Sequence, residues 1–331
     1  MLSTSKRTVL RLSALALASG LMAAPLGAFA AGMKSVAVTA IVEHPALDAT
    51  RDGIKEGLKE AGYEEGKNLK WQYQSAQGNL GTAAQIARKF IGDNPDVIVG
   101  IATPSAQALV AATKTVPVVF TAVTDPVGAQ LISDWGPSGA NVTGVSNQMN
   151  QQTLDKQAEL IRRILPNARR VGMVYNPSEE NSAWWVRKLK EILPRFGMTL
   201  VEAAAPRSVD VSSAARSLAS KVDVIYTSTD NAVVSAYESL AKVGNELKIP
   251  LIACDTDSVK RGAIAALGVN YFEMGKQTGR MVARILNGEK PGAMASETSD
   301  KLALYVNPGA AEKQGVKLPD EIIKSANEVV K

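Results

Sequence analysis

The chain has 331 residues, 46% hydrophobic and 21% charged, enough for two ordinary globular domains and unlike a fibrous or disordered chain. Its formal net charge of +5 falls to +2 once Lys6, Arg7 and Arg11 of the N-terminal leader are set aside, too little for a nucleic-acid surface, and no basic run follows. One histidine, His44, and one cysteine, Cys254, exclude a zinc centre built on two histidines, an internal disulfide, and a choice of base for a Ser-His triad.

Residues 1–30 read as a secretory signal peptide. A basic start is followed by a Leu/Ala-rich run from Leu12 to Leu26, too short to span a bilayer securely, and Ala28-Phe29-Ala30 is a small-x-small cleavage site, with cleavage expected after Ala30. No other apolar stretch is long enough to cross a membrane. No cysteine stands beside the cleavage site to carry a lipid, so the expected mature protein is soluble and periplasmic. Cys254 lies in an apolar run, and a small buried strand residue is expected there ahead of a reactive thiol.

From Lys34 strand and helix patterns alternate. Val36–Val42 predicts a strand, Ala49–Ala61 a helix stopped at Gly62, Leu69–Gln74 a strand and Thr82–Ile91 a helix. Val97–Ala102, Ser105–Thr113 and Val118–Ala122 continue the series as strand, helix and strand. The order then repeats: strand Arg170–Tyr175, helix Trp184–Phe196, strand Thr199–Ala204, helix Val211–Ala219, strand Val224–Thr227, helix Ala232–Leu247, strand Leu251–Ala253. Phe272–Asn287 predicts a helix and Leu302–Val306 a late strand. This is the α/β class, with two Rossmann-like lobes of mainly parallel sheet, and the repeated order marks a duplicated lobe. The boundary falls near Asn141–Asn150, Leu267–Asn270 looks like a second crossing, and several crossings make a multi-strand hinge. Trp71 and Tyr73 alternate on one strand and are expected in the core. Of the adjacent Trp184 and Trp185, at most one can face a cleft, because adjacent helix positions diverge by about 100°.

No phosphate-binding glycine loop, dinucleotide fingerprint or nucleophile elbow is present, so nothing supports an enzyme, a cofactor or a metal. The positive signal lies at strand ends, where open α/β sheets bind ligands. DVIVGIATPS (Asp96–Ser105) and DVIYTSTDN (Asp223–Asn231) are the same device in the two halves, each followed by a strand behind a proline. Thr103-Pro104-Ser105 reads as helix cap, first helical proline and small residue, leaving the N–H groups of Ser105 and Ala106 free. Such an end either binds a carboxylate or simply caps its helix. Thr121, Thr124 and Asp125 close the neighbouring strand. In the second half Asp230 stands where Thr103 does, and Asp255 where Ala122 does. One rim thus offers neutral donors and the other carboxylates, which suits a zwitterion with its ammonium on the second lobe. Asp230 is alternatively the cap of the helix that follows. His44 and the pair Tyr175 and Asn176 hold matching positions after the first strand of each half; a lone histidine there is either a ligand contact or a hydrogen-bonded structural residue.

EHPALDATRDG (Glu43–Gly53), SAQGN (Ser75–Asn79), IATPSAQA (Ile101–Ala108), VVFTAVTDPVGA (Val118–Ala129), NVTGVSN (Asn141–Asn147), YNPSEENS (Tyr175–Ser182) and TDNAV (Thr229–Val233) occur in this order. Together they resemble the ABC-transporter substrate-binding proteins of the tryptophan/tyrosine uptake family, over essentially the whole chain after the leader. The resemblance implies a type I periplasmic-binding-protein fold with three crossings: 34–146 with 271–298 in one lobe, 147–270 with 299–331 in the other. It implies a monomer that binds an aromatic amino acid by hinge closure and delivers it to an ABC permease and its ATPase. It adds Asn147 and Asn231 to the expected ligand contacts. A receptor for a branched-chain amino acid or a sugar, or a ligand-sensing subunit of a signalling system, are the alternatives.

Overall fold

A computed structural model of the chain describes residues 32–299 and 301–331, so the leader lies outside the described residues. The first sheet is built from β1 (Lys34–Ala40), β2 (Leu69–Ser75), β3 (Val97–Ile101), β4 (Val118–Val123) and β5 (Val142–Ser146), with α1 (Pro45–Glu60), α2 (Leu80–Gly92) and α3 (Thr103–Ala112) between the first four. The chain then passes through α4 (Gln151–Ile164) into β6 (Arg170–Tyr175), α5 (Glu180–Ile192), β7 (Thr199–Ala204), α6 (Val211–Ser217), β8 (Val224–Thr227), α7 (Asn231–Ser235), α8 (Tyr237–Leu247), β9 (Leu251–Asp255), α9 (Asp257–Lys260) and β10 (Ala265–Val269). It returns to the first sheet as α10 (Tyr271–Leu286) and β11 (Glu297–Thr298). It ends on the second as β12 (Leu302–Val306), α11 (Pro308–Lys313), α12 (Asp320–Ser325) and β13 (Glu328–Val329).

The first sheet has the order β11-β5-β4-β3-β1-β2 and the second β13-β12-β10-β9-β8-β6-β7. Every pairing is parallel except β10 with β12. The five principal strands of each sheet follow one order: first beside second and third, then fourth and fifth. The duplication visible in the sequence is therefore a duplication of topology. In both sheets the order reverses at the first strand, and ligand crevices open outside the carboxyl ends of the strands there.

The central strands are buried on both faces; all of VVFTAV in β4 is inaccessible. That explains their continuous apolar runs, as helices cover both sides of a parallel sheet. Four helices start at an asparagine whose side chain accepts an N–H three residues on: Asn79, Asn150, Asn270 and Asn307. α10 packs on α1 through Gly53 and Gly57 against Gly275 and Gly279. A Cβ on Gly275 would come within 2.2 Å of the Thr50 carbonyl oxygen, so only glycine permits this approach.

The structure alters some expectations. The helix expected over Ala232–Leu247 is two, broken at Ala236, whose backbone (φ −106°, ψ 26°) leaves the helical region. Helix α4, unassigned in the sequence, fills the start of the second half. Trp71 and Tyr73 are half-buried rather than core: β2 is an edge strand, and Lys55 and Arg51 of α1 lie over their rings at 5.1 and 5.0 Å. Cys254 is buried in β9, where desolvation raises its thiol pKa well above the usual value.

Candidate functional site

A small cavity lies where the carboxyl ends of the two sheets meet. The first half contributes His44, Ala46 and Leu47 from the start of α1 and Ala122 from β4. The second contributes Thr229, Asn231, Val234 and Asp255, and the crossing segments add Asn147 and Tyr271.

His44 is placed by α1. Its extended backbone (φ −162°, ψ 160°) caps the helix, Pro45 follows at the first helical position, and its Nδ1 accepts the Leu47 N–H at 3.5 Å. Accepting at Nδ1 leaves the proton on Nε2. Burial, aided by the Arg261 charge, lowers the imidazole pKa to about 3, so the ring is neutral. Ala122 sits in a β-bulge, where the β4–β5 register shifts between Thr121 and Val123, and has φ +54°. Ala102, ahead of α3, has φ +71° and ψ 156°. Left-handed alanines cost about 1–3 kcal/mol each, and both stand on the cleft rim of the first lobe.

The start of α3 differs from its expectation. The cap is Ala102, Thr103 is the first helical residue, and Pro104 is the second. The Ala106 N–H is not free but donates to the Ala102 carbonyl at 3.1 Å. The buried hydroxyls of Thr103 and Ser105 have no partner among the described residues. These residues share the rim with Ala122 and His44 without lining the cavity.

The two candidate carboxylates are separated by their partners. Asp255 lines the cavity while accepting from the Ser258 N–H (2.8 Å) and hydroxyl (2.7 Å); burial raises its pKa and those bonds oppose the rise. Asp230 does not line it. The Asp230 carboxylate is fully buried and accepts the Val233 N–H as cap of α7, the Asn176 N–H and the Ser182 hydroxyl. Its oxygens face α7 and the β6–α5 loop rather than the cavity. Asn231, next in sequence, lines the cavity instead.

Other expected contacts point elsewhere. Thr121 accepts a hydrogen bond from Thr278 of α10 at 2.8 Å. Asp125 closes its own turn on the Gly128 N–H at 2.9 Å. The Tyr175 hydroxyl lies 3.1 Å from Glu202, and Asn176 accepts the Ser178 N–H at 3.0 Å. Neither tryptophan of α5 lines the cavity: both are buried, stacked edge to face at 5.2 Å. Trp185 nevertheless serves the cleft indirectly. Its Nε1 donates to Thr229 at 3.0 Å, and Thr229 meets Thr124 of the first lobe at 2.9 Å. Asn147 donates to the Tyr271 hydroxyl at 3.0 Å, and its Oδ1 is buried without a partner among the described residues. Ala46, Leu47, Thr229, Val234 and Tyr271 were not foreseen. Ala46 and Leu47 had a signal in the Pro45 start of α1; Tyr271 is brought in only by the return crossing.

The polar part of the lining includes two acceptors, the Asp255 carboxylate and Asn147 Oδ1, beside His44, Thr229, Asn231 and the Tyr271 hydroxyl, and the remainder, Ala46, Leu47, Ala122 and Val234, is apolar. The sequence model of the family described as ABC transporter substrate binding protein matches residues 35–330. The chain belongs to that family. The substrate-binding protein is 38% identical to a tyrosine-binding protein of Clostridioides difficile strain R20291, over 83% of this chain and 79% of the relative. Its fold is similar to that of an ABC domain from Streptococcus pneumoniae in complex with L-Trp: 32% identity, 90% of this chain and 99% of the other, TM-score 0.85. A ligand-free, open substrate-binding protein with adhesive properties from Clostridium difficile is 40% identical over 90% of this chain and 99% of the other, yet its TM-score is 0.67. The more identical, ligand-free chain thus superposes less well than the L-Trp-bound one. Its two lobes have the type I periplasmic-binding-protein architecture.

Proposed function

We propose that this substrate-binding protein captures an aromatic amino acid between its lobes by hinge closure and delivers it to an ABC permease. The observation that carries this reading is the cavity lined by both lobes, in which the Asp255 carboxylate and the unpartnered Asn147 oxygen stand beside His44, Thr229, Asn231 and Tyr271 and four apolar side chains. Acceptors suit an ammonium group. The start of α3, with its dipole and the two buried hydroxyls of Thr103 and Ser105, suits the carboxylate. Burying unpartnered hydroxyls costs about 1–3 kcal/mol each, a cost a bound carboxylate relieves. The similarity to tyrosine-binding and L-Trp-bound relatives supports the aromatic side chain.

In this reading residues 1–30 are a signal peptide cleaved after Ala30, the mature protein is a periplasmic monomer, and the bound solute is released unchanged. Residues 34–146 with 271–298 move against 147–270 with 299–331. Ligand bridges the lobes and biases the hinge toward closure. Calorimetry of the mature protein, freed of co-purifying ligand, tests it. Binding of L-tryptophan, L-tyrosine or L-phenylalanine at micromolar dissociation constants or tighter is expected, with branched-chain amino acids and sugars at least a hundredfold weaker. A sugar or branched-chain amino acid that binds more tightly than all three overturns the aromatic assignment.

A further inference from the structure

We propose that Glu179 is the positioning residue that turns the Asn231 side-chain oxygen toward the ligand's ammonium group. The inference rests on the function proposed above and assigns a role to a residue that never touches the ligand.

Glu179 lies in the β6–α5 loop, outside the cavity, and is buried. One of its oxygens accepts the Asn231 backbone N–H at 3.1 Å and the Asn231 Nδ2 at 2.5 Å, and also the Asn181 Nδ2 at 3.0 Å. A side-chain amide has a donor end and an acceptor end, while an ionised carboxylate only accepts. Against ionised Glu179 the Asn231 amide has one orientation, with Nδ2 on Glu179 and Oδ1 turned away from it. Asn231 lines the cavity beside His44, with which it shares a side-chain hydrogen bond, so its Oδ1 takes the His44 N–H on one lone pair and offers the other to the cavity. That oxygen joins Asp255 and the Asn147 oxygen as acceptors for a cation.

The setting is costly, which argues for use. Asp230 is buried next to Glu179, and every donor to the two carboxylates is an uncharged amide or hydroxyl. Two buried negative groups without a cation are unfavourable unless something nearby is improved by them. A ligand ammonium on the adjacent wall is such a group. Desolvation, reinforced by the Asp230 charge, raises the Glu179 pKa to about 7. A protonated Glu179 carries an O–H donor and accepts less strongly, so its hold on the Asn231 Nδ2 weakens and the amide is fixed by the His44 contact alone.

The other titratable groups facing this region are Asp230, Asp255 and Asp257 of the second lobe, His44 of the first, and the permanently charged Arg261. His44, at about 3, is outside the neutral window; Asp257, raised to about 6 by burial, is inside it. The test is therefore a comparison of pH profiles. Calorimetry with L-tryptophan is run from pH 5.5 to 8 on wild type and on Glu179→Gln, whose side chain keeps the shape without the obligate acceptor. Wild type is expected to weaken about tenfold on going from pH 8 to 5.5. Glu179→Gln is expected to bind about tenfold more weakly at pH 8 and to lose most of the pH step, keeping only what Asp255 and Asp257, both raised by burial, contribute. A purely structural role would lower stability without removing the step. Glu179→Gln that retains wild-type affinity and pH profile overturns the inference alone. Wild type that binds no aromatic amino acid at any pH overturns the proposed function and this inference with it. If the variant does not fold, the side-chain amide NMR resonances of Asn231 in the ligand-bound wild type decide: titration near neutral pH supports the inference, and invariance from pH 5.5 to 8 refutes it.

Discussion

Thr124 offers the cleanest test of closure because it joins the lobes without lining the cavity. Its hydroxyl meets that of Thr229 across the cleft at 2.9 Å, and Trp185 holds Thr229 from behind at 3.0 Å. With the His44–Asn231 contact, it joins the two rims away from the crossing segments. Thr124→Val keeps the side-chain shape and removes the hydroxyl, leaving Thr229 its bond from Trp185. A net intramolecular hydrogen bond is worth about 1 kcal/mol, or about fivefold in an equilibrium. The bond exists only when the lobes are closed, so its loss lowers the closed population, and apparent affinity falls by the same factor when the open form dominates without ligand. The expected result is a dissociation constant for L-tryptophan raised about fivefold. The change should lie chiefly in the off-rate measured by stopped-flow tryptophan fluorescence. Thr124→Ser retains the hydroxyl and is expected to behave as wild type. Equal affinity for Thr124→Val and wild type, or equal weakening in Thr124→Ser and Thr124→Val, refutes the latch.

Asp255→Asn is expected to weaken binding of L-tryptophan at least tenfold, about 1.4 kcal/mol by calorimetry, because it removes the carboxylate from the cavity wall. Asp230→Ala is expected to act on stability instead. It loses the cap of α7 and strands the Asn176 N–H and Ser182 hydroxyl, for about 3 kcal/mol in denaturant titration. His44 predicts an acid-side effect. Its folded pKa of about 3 lies below the ordinary 6.5, so the unfolded chain takes up a proton between those values and stability falls as pH drops through them. His44→Asn keeps a good cap and is expected to lose about 2–3 kcal/mol less than wild type between pH 6.5 and 4.5, measured by denaturant titration. Gly275→Ala forces α10 off α1, with an expected cost of about 1–3 kcal/mol and a lower melting temperature.

The central strands were legible because they are buried on both faces and read as apolar runs, as Val224–Thr227 does; the more exposed strands Arg170–Tyr175, Thr199–Ala204 and Leu302–Val306 also coincide with the observed ones. Helix α4 was legible too, with Asn150 as cap and Leu154, Ala158 and Ile161 at helical spacing, though it had not been assigned. The division of labour between Asp230 and Asp255 was not. Both aspartates follow a strand and precede a helix, and both accept from a residue three positions on. What distinguishes them is that Asn176 and Ser182, some fifty residues earlier in the chain, cover one carboxylate and not the other. Glu179 was likewise inconspicuous, since burial of a loop glutamate beside an aspartate leaves no pattern in the local sequence. Ala102 and Ala122 were hidden for the opposite reason: a left-handed backbone normally announces itself as glycine.

The glycine-lined seam between α1 and α10 joins segments more than two hundred positions apart in the chain. During synthesis the groove along α1 therefore stays open until Tyr271–Leu286 has been made, after all five principal strands of the second sheet. A lobe that must wait for its last helix folds late, because the closing contact spans a long loop. For the export proposed above, in which the chain crosses a membrane as an extended polypeptide, that delay is useful. The arrangement of the seam postpones a compact first lobe until most of the chain has already been released.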